Sequence, residues 1–310
     1  MDRRPILLTK LVIATAAAFP AGLSAARADF NEFRAIATDG ELAAALQRTA
    51  DAMSKEFPRL TSENLGMSVI DLTKPTTRIR ADLHGDAPFY PASVIKLFFM
   101  TEIFREGKRS PEIERALREM IGLSDNDAAS YLVDVISNTT SGPELEEEEL
   151  RQFRERRRAI NGVFNSLGYD VSAMAKPWSF GPYGREKQLL GANNENRNRA
   201  TPNAVASLLY WIVRRNAISL KASDEMMSLL QRPLDPVRPT ENQVNGFLGE
   251  SLPTGSKLWS KSGDTSEVRN DACYIELPNG RKFIVVVFTR AGDEKRLLPA
   301  IGQRLFTELH

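Results

Sequence analysis

The chain has 310 residues, 42% hydrophobic and 26% charged, with 41 basic against 40 acidic side chains; this make-up excludes a disordered, collagenous or multi-span membrane protein. A formal net charge of +1 supplies no dense basic surface for nucleic acid. One cysteine, Cys273, and two histidines, His84 and His310, exclude an intramolecular disulfide and a thiolate metal cluster, and nearly exclude a multi-histidine metal site.

Residues 1–28 read as an export signal. Arg3, Arg4 and Lys10 form a basic start, residues 11–23 are apolar and Ala-rich, and Ala26-Arg27-Ala28 is a small-x-small cleavage site. The apolar run is too short for a membrane anchor. Cleavage after Ala28 leaves Asp29 as the N-terminus, with 37 basic and 39 acidic residues, so a nearly neutral, secreted or periplasmic protein is expected. Apolar positions at helical spacing predict a helix over 41–57, ended by Pro58. Strands are predicted over 65–72 and 77–83. Residues 93–105 are apolar on nearly every side, which predicts a buried helix, the least amphipathic of the mature chain. The charged stretch from Glu146 to Arg158 reads as a long solvated helix with one buried stripe of Phe153, Ile160, Val163, Phe164 and Leu167. Beyond a helical region to about 230, strands are predicted over 258–261, 272–277 and 282–289, with a turn at Pro278-Asn279-Gly280, and a closing helix over 294–309. The order suggests a sheet built from both chain ends. Cys273 reads as a buried core thiol.

Three short clusters carry the chemistry. In Ser93-Val94-Ile95-Lys96, a helix places the lysine one turn from the serine on the same face. A serine needs an adjacent base, and burial disfavours the ammonium form of lysine. Ser124-Asp125-Asn126 opens a second helical stretch, where any of the three could simply cap. Lys261-Ser262-Gly263 lies on a late strand, with Lys261 and Gly263 on one face and Ser262 on the other. His84 belongs to no Ser-His-Asp arrangement that the sequence reveals.

In this order the three clusters form the Ser-x-x-Lys, Ser-Asp-Asn, Lys-Thr/Ser-Gly signature, and the chain resembles the class A beta-lactamase and DD-peptidase superfamily over most of its mature length. Arg199-Ala200-Thr201-Pro202 is similar to the segment after that family's omega loop. The resemblance implies an α+β fold: an antiparallel sheet from both chain ends packed on helices (about 29–92 and 250–310), plus an all-helical lobe (about 93–249), together one catalytic domain over 29–310. It implies Ser93 as acylated nucleophile, Lys96 as its base, and Ser124 as proton shuttle to the leaving nitrogen. Asn126 would hold the substrate's side-chain amide, while Lys261, Ser262 and the Gly263 strand, with Arg269, would bind its carboxylate. The N–H groups of Ser93 and Asp264 would form the oxyanion hole. No cofactor or metal is needed.

Three departures stand out. Only 31 positions separate Ser93 from Ser124, so a loop that usually walls the cleft is missing. The charged helix is an addition. The family's deacylating Glu is followed four residues later by Asn, whereas Glu186 is followed by Leu190 and Glu195 by Arg199; Glu186, which keeps Glu-x-x-Leu, is the candidate. The expected function is an exported, monomeric serine hydrolase opening beta-lactam amides. The alternatives are a DD-peptidase acting on peptidoglycan-like acyl groups, another serine acyl-hydrolase, or a penicillin-binding sensor without turnover.

Overall fold

The computed structural model describes residues 29–234 and 243–309; the expected export signal lies outside the described residues. Helix α1 (Phe30–Arg34) and strand β1 (Ala37–Thr38) lead into α2 (Gly40–Glu56). Asp39 caps α2 by accepting from Leu42 N at 2.8 Å, a contact that contributes about 1 kcal/mol. Strands β2 (Leu65–Asp71) and β3 (Ile79–Leu83) follow. The helical lobe comprises α3 (Lys96–Glu106), α4 (Pro111–Arg118), α5 (Asn126–Ser137), α6 (Glu147–Ser166), α7 (Gly184–Leu190), α8 (Pro202–Val213) and α9 (Leu220–Leu230). Within it, β4 (Val171–Ser172) pairs with β5 (Arg199–Ala200) and closes the neck of the long 173–198 excursion. Strands β6 (Gln231–Arg232), β7 (Lys257–Asp264), β8 (Arg269–Glu276) and β9 (Lys282–Thr289) and helix α10 (Leu297–Glu308) complete the described chain.

The main sheet has seven strands in the order β1-β3-β2-β9-β8-β7-β6. All neighbours are antiparallel except β1 and β3. Early and late strands meet at β2–β9, where Val69 faces Val285, so the sheet is built from both chain ends as the sequence suggested. Alternation along β9 divides its side chains between two cores. Val285 and Val287 pack with Leu46, Met67 and Ile301 beneath α2 and α10. Ile284, Val286 and Phe288 pack with Leu97, Ala204 and Leu208 toward the helical lobe. Each such buried aliphatic or aromatic side chain contributes about 1.5–3 kcal/mol relative to exposure.

One local expectation is corrected. Ser93 does not open an α-helix: it lies in a 3-10 turn, Ala92–Ile95, and α3 begins at Lys96. Helix α3 is the least amphipathic, as the sequence suggested, while α8 is the most completely covered and buries eleven of its twelve residues. The reason is position, since α8 lies between the sheet and the helical lobe and is covered on all sides. Cys273 is fully buried, and burial pushes its thiol well above the ordinary value.

Candidate active site

The turn that carries Ser93 is seated on the sheet. Asn270 of β8 donates to Tyr90 O at 3.0 Å and accepts from Thr289 N, fixing the approach to Ser93. A Cβ on Gly263 would lie 2.6 Å from Ser93 N and 2.8 Å from both Pro91 O and Val94 N, so only glycine lets β7 come this close. Ala92 has φ of 47°, a left-handed conformation that costs a non-glycine residue about 1–3 kcal/mol and persists where surroundings impose it. Ser93 itself is half-buried.

The Ser-Asp-Asn segment divides its tasks. Asp125 takes the capping role, accepting from Ala128 N at 2.7 Å. Ser124 has φ of 58° and ends the π-helical turn Glu119–Leu123. Ser124 and Asn126 are left to face Lys96, whose Nζ donates to Ser124 O at 2.6 Å and to Asn126 Oδ1 at 2.7 Å, with Ser124 Oγ at 3.4 Å. Burial pulls the Lys96 ammonium down to about 7, opposed by the nearby Asp125 charge. A neutral amine has two hydrogens, and the two short bonds use both, so its lone pair is directed elsewhere. Among the described residues no hydrogen bond joins Lys96 to Ser93.

Lys261 enters from β7, fully buried, and donates to Ser124 Oγ at 2.9 Å, Ser262 O at 2.6 Å and Gln243 Oε1 at 2.5 Å. Burial holds it well below its ordinary value, helped by the charges of Lys96 and Arg232. Two buried amines thus converge on one hydroxyl. Ser262 points its hydroxyl to Gln243 Oε1 at 3.3 Å. The structure therefore brings together Lys96, Ser124, Asn126, Lys261 and Ser262, with Gly263 against the Ser93 turn.

Two candidates stand apart. Arg269 is only 5% exposed and is held by Gly246 O, Gly292 O, Asp264 and the Phe247 ring; it shares no hydrogen bond with Lys261 or Ser262. Glu186 is buried and accepts from Arg157 Nη2 at 2.6 Å and Ser141 Oγ at 3.0 Å, with Lys176 at 3.6 Å. Both cations also pair with Asp134. Asp134 lies eight residues beyond Asn126 on α5, about 12 Å along the axis, so this cluster is remote from Lys96. Glu195 is exposed and accepts from Asn193 N. Among the described residues no carboxylate hydrogen-bonds Lys96 or Ser93.

Sequence reasoning missed Gln243 and Arg157. No motif marks Gln243. Arg157 had a signal: it follows Phe153 by four residues and precedes Ile160 by three, on the apolar stripe, and it is fully buried.

An α+β fold with a Ser-x-x-Lys turn, a Ser-Asp-Asn turn and a Lys-Ser-Gly strand meeting at one hydroxyl defines a beta-lactamase-like serine hydrolase. A profile of the beta-lactamase enzyme family, Beta-lactamase2, matches residues 105–309, and the chain belongs to that family. No curated protein sequence matches the chain. Among solved structures, a mutant of PBP-A in its acyl-enzyme complex with penicillin-G is similar at a TM-score of 0.61 and 17% identity, covering 86% of this chain and 96% of that one. A beta-lactamase from Sphaerobacter thermophilus aligns at 0.60 and 19%, over 86% and 96%. An ancestral class A beta-lactamase (GNCA) aligns at 0.60 and 20%, over 86% and 100%.

Proposed function

We propose that this chain is an exported serine hydrolase that opens beta-lactam amides through an acyl-enzyme on Ser93. The observation that carries this reading is the convergence of Lys96 and Lys261 on Ser124 Oγ, at 3.4 and 2.9 Å. Neutral Lys96 takes the Ser93 proton as the oxygen attacks the strained carbonyl. The proton passes from Lys96 to Ser124 as Ser124 gives its own to the amide nitrogen, and the C–N bond breaks. Ser93 N and Asp264 N face the developing oxyanion, while Lys261 and Ser262 attract the substrate's carboxylate. Water then releases the opened product. The basic start, apolar run and Ala-x-Ala site of residues 1–28 support export; N-terminal sequencing of the mature protein should return Asp29, and a retained Met1 would overturn that part.

A second reading is favoured by one observation, the enclosure of Glu186 by Arg157, Ser141 and Lys176. With that carboxylate committed elsewhere, the acyl-enzyme would persist, as in a penicillin-binding peptidase or sensor. The intact mass of the protein, followed after adding a penicillin, tests both. An adduct on Ser93 that decays identifies a beta-lactamase, and one that persists identifies the second reading. No adduct, or an adduct retained in Ser93→Ala, refutes both.

A further inference from the structure

We propose that Gln243 is a positioning residue that fixes Lys261 to Ser124 by clamping strand β7 to the turn that carries Ser124. The inference rests on the acyl-transfer reading above and adds a residue that no motif of the family signature contains.

The clamp follows from how β7 ends. Among the described residues strand β6 pairs with β7 at Trp259 and Leu258, and beyond Trp259 no described strand satisfies the outer edge of β7. Side chains do so instead. Arg232 donates to Ser260 O at 2.8 Å and to Ile121 O at 2.8 Å. Gln243 serves the next residues: its Oε1 accepts from Lys261 Nζ at 2.5 Å, Ser262 Oγ at 3.3 Å and Ser262 N at 3.4 Å. Its Nε2 donates to Ile121 O and Gly122 O, both at 2.8 Å. The side chain is 4% exposed, so water does not replace these partners.

Only a neutral amide can do this. The oxygen faces donors alone and the nitrogen faces acceptors alone. A carboxylate would set an acceptor against the Ile121 and Gly122 carbonyls. A protonated lysine would have no lone pair for Lys261, and a leucine would remove one of Lys261's three acceptors and the donor to Ile121 O and Gly122 O. Ile121 and Gly122 stand three and two residues before Ser124, in the π-helical turn whose end puts Ser124 in its left-handed conformation. One amide therefore holds both ends of the 2.9 Å contact between Lys261 and Ser124.

The consequence is specific to the step in which Ser124 protonates the leaving group. An amide nitrogen must gain a proton to depart, whereas a thiolate leaves without one. Losing the clamp should disturb carboxylate binding for both substrates, but should slow acylation by a penicillin more than acylation by a thiolester carrying the same kind of acyl group and a terminal carboxylate.

The experiment compares Gln243→Ala and Gln243→Glu with the wild type on both substrates, with thermal melts to establish folding. A misplacement near 1 Å costs about 10²-fold, so penicillin acylation should fall about 10²-fold in both variants, and thiolester acylation by clearly less, because only its carboxylate contact is disturbed. Equal loss on both substrates, or full activity of either variant on penicillin, overturns the proposal. A wild type that neither substrate acylates overturns the functional reading instead. In that event the crystal structure of Gln243→Ala decides the clamp: separation of Lys261 Nζ from Ser124 Oγ supports it, and an unchanged contact refutes it.

Discussion

Arg157 donates to Glu186 Oε1 at 2.6 Å with side-chain exposures of 0% and 1%. Removing one partner of a buried pair strands the other charge and costs about 3–5 kcal/mol. Arg157→Ala should therefore lower the urea-unfolding free energy by at most that amount, since Lys176 and Ser141 stay beside Glu186. Because Glu186 is engaged here, Glu186→Gln should leave the lifetime of the Ser93 adduct unchanged; accumulation of adduct in that variant, read by intact mass, would restore Glu186 as the deacylating base.

Lys96 is pulled down to about 7 by burial, and in the proposed acyl transfer its neutral form is the base. Acylation should rise tenfold per pH unit below 7 and level off above it. A charged replacement cannot accept the proton, so Lys96→Arg should lose about 10²–10⁴-fold. Adduct formation followed from pH 5.5 to 8.5 checks both, and a flat wild-type profile would assign the base elsewhere.

Gly263 has backbone on three sides of its missing Cβ, and backbone cannot swing aside as a flexible side chain can. Gly263→Ala must push β7 away from the Ser93 turn. Acylation should fall by about 10²-fold, the cost of a shift near 1 Å. Unaltered acylation in a folded Gly263→Ala protein would show that the β7–Ser93 spacing is not limiting.

Asp271 is raised to about 7 by burial, against the opposing bonds from Leu248 N and Ala272 N. Its folded value lies above the unfolded 3.8, so the folded state holds the extra proton and this term weakens stability as pH rises from about 4 to 7. Lys96 has the opposite sign: its depressed folded value strengthens stability as pH rises from about 7 toward 10.5. In Asp271→Asn the acid-side term disappears. The difference in unfolding free energy between wild type and variant should change by up to about 1.4 kcal/mol per pH unit between 4 and 7. A pH-independent difference would rule the titration out.

The strands at both chain ends were legible because alternation and turn residues are local signals, and the three motif clusters were legible because each is contiguous. Ser93 was placed on a helix because apolar periodicity runs through Val94 and Ile95 without a break, and nothing local marks the change from 3-10 to α at Lys96. Arg269 and Glu186 were assigned by resemblance, and their partners come from segments distant in sequence: Gly246 and Gly292 for one, Arg157 and Ser141 for the other. The charged helix was expected to be a solvated helix with one buried apolar stripe. The buried Arg157 is the exception, since a charge on an apolar stripe is informative only once its partners are known.

Strand β9 is the last strand in chain order, yet it lies between β2 and β8. Its partner β2 was translated more than two hundred residues earlier. Until residue 289 has been made, the early hairpin and the strands carrying Lys261 and Asn270 have no seam to join them. The turn that carries Ser93 rests on those late strands, so no chain that stops short of β9 can hold Ser93 against Gly263. The surroundings of Ser93 therefore form in one step, when β9 joins the sheet, and not strand by strand.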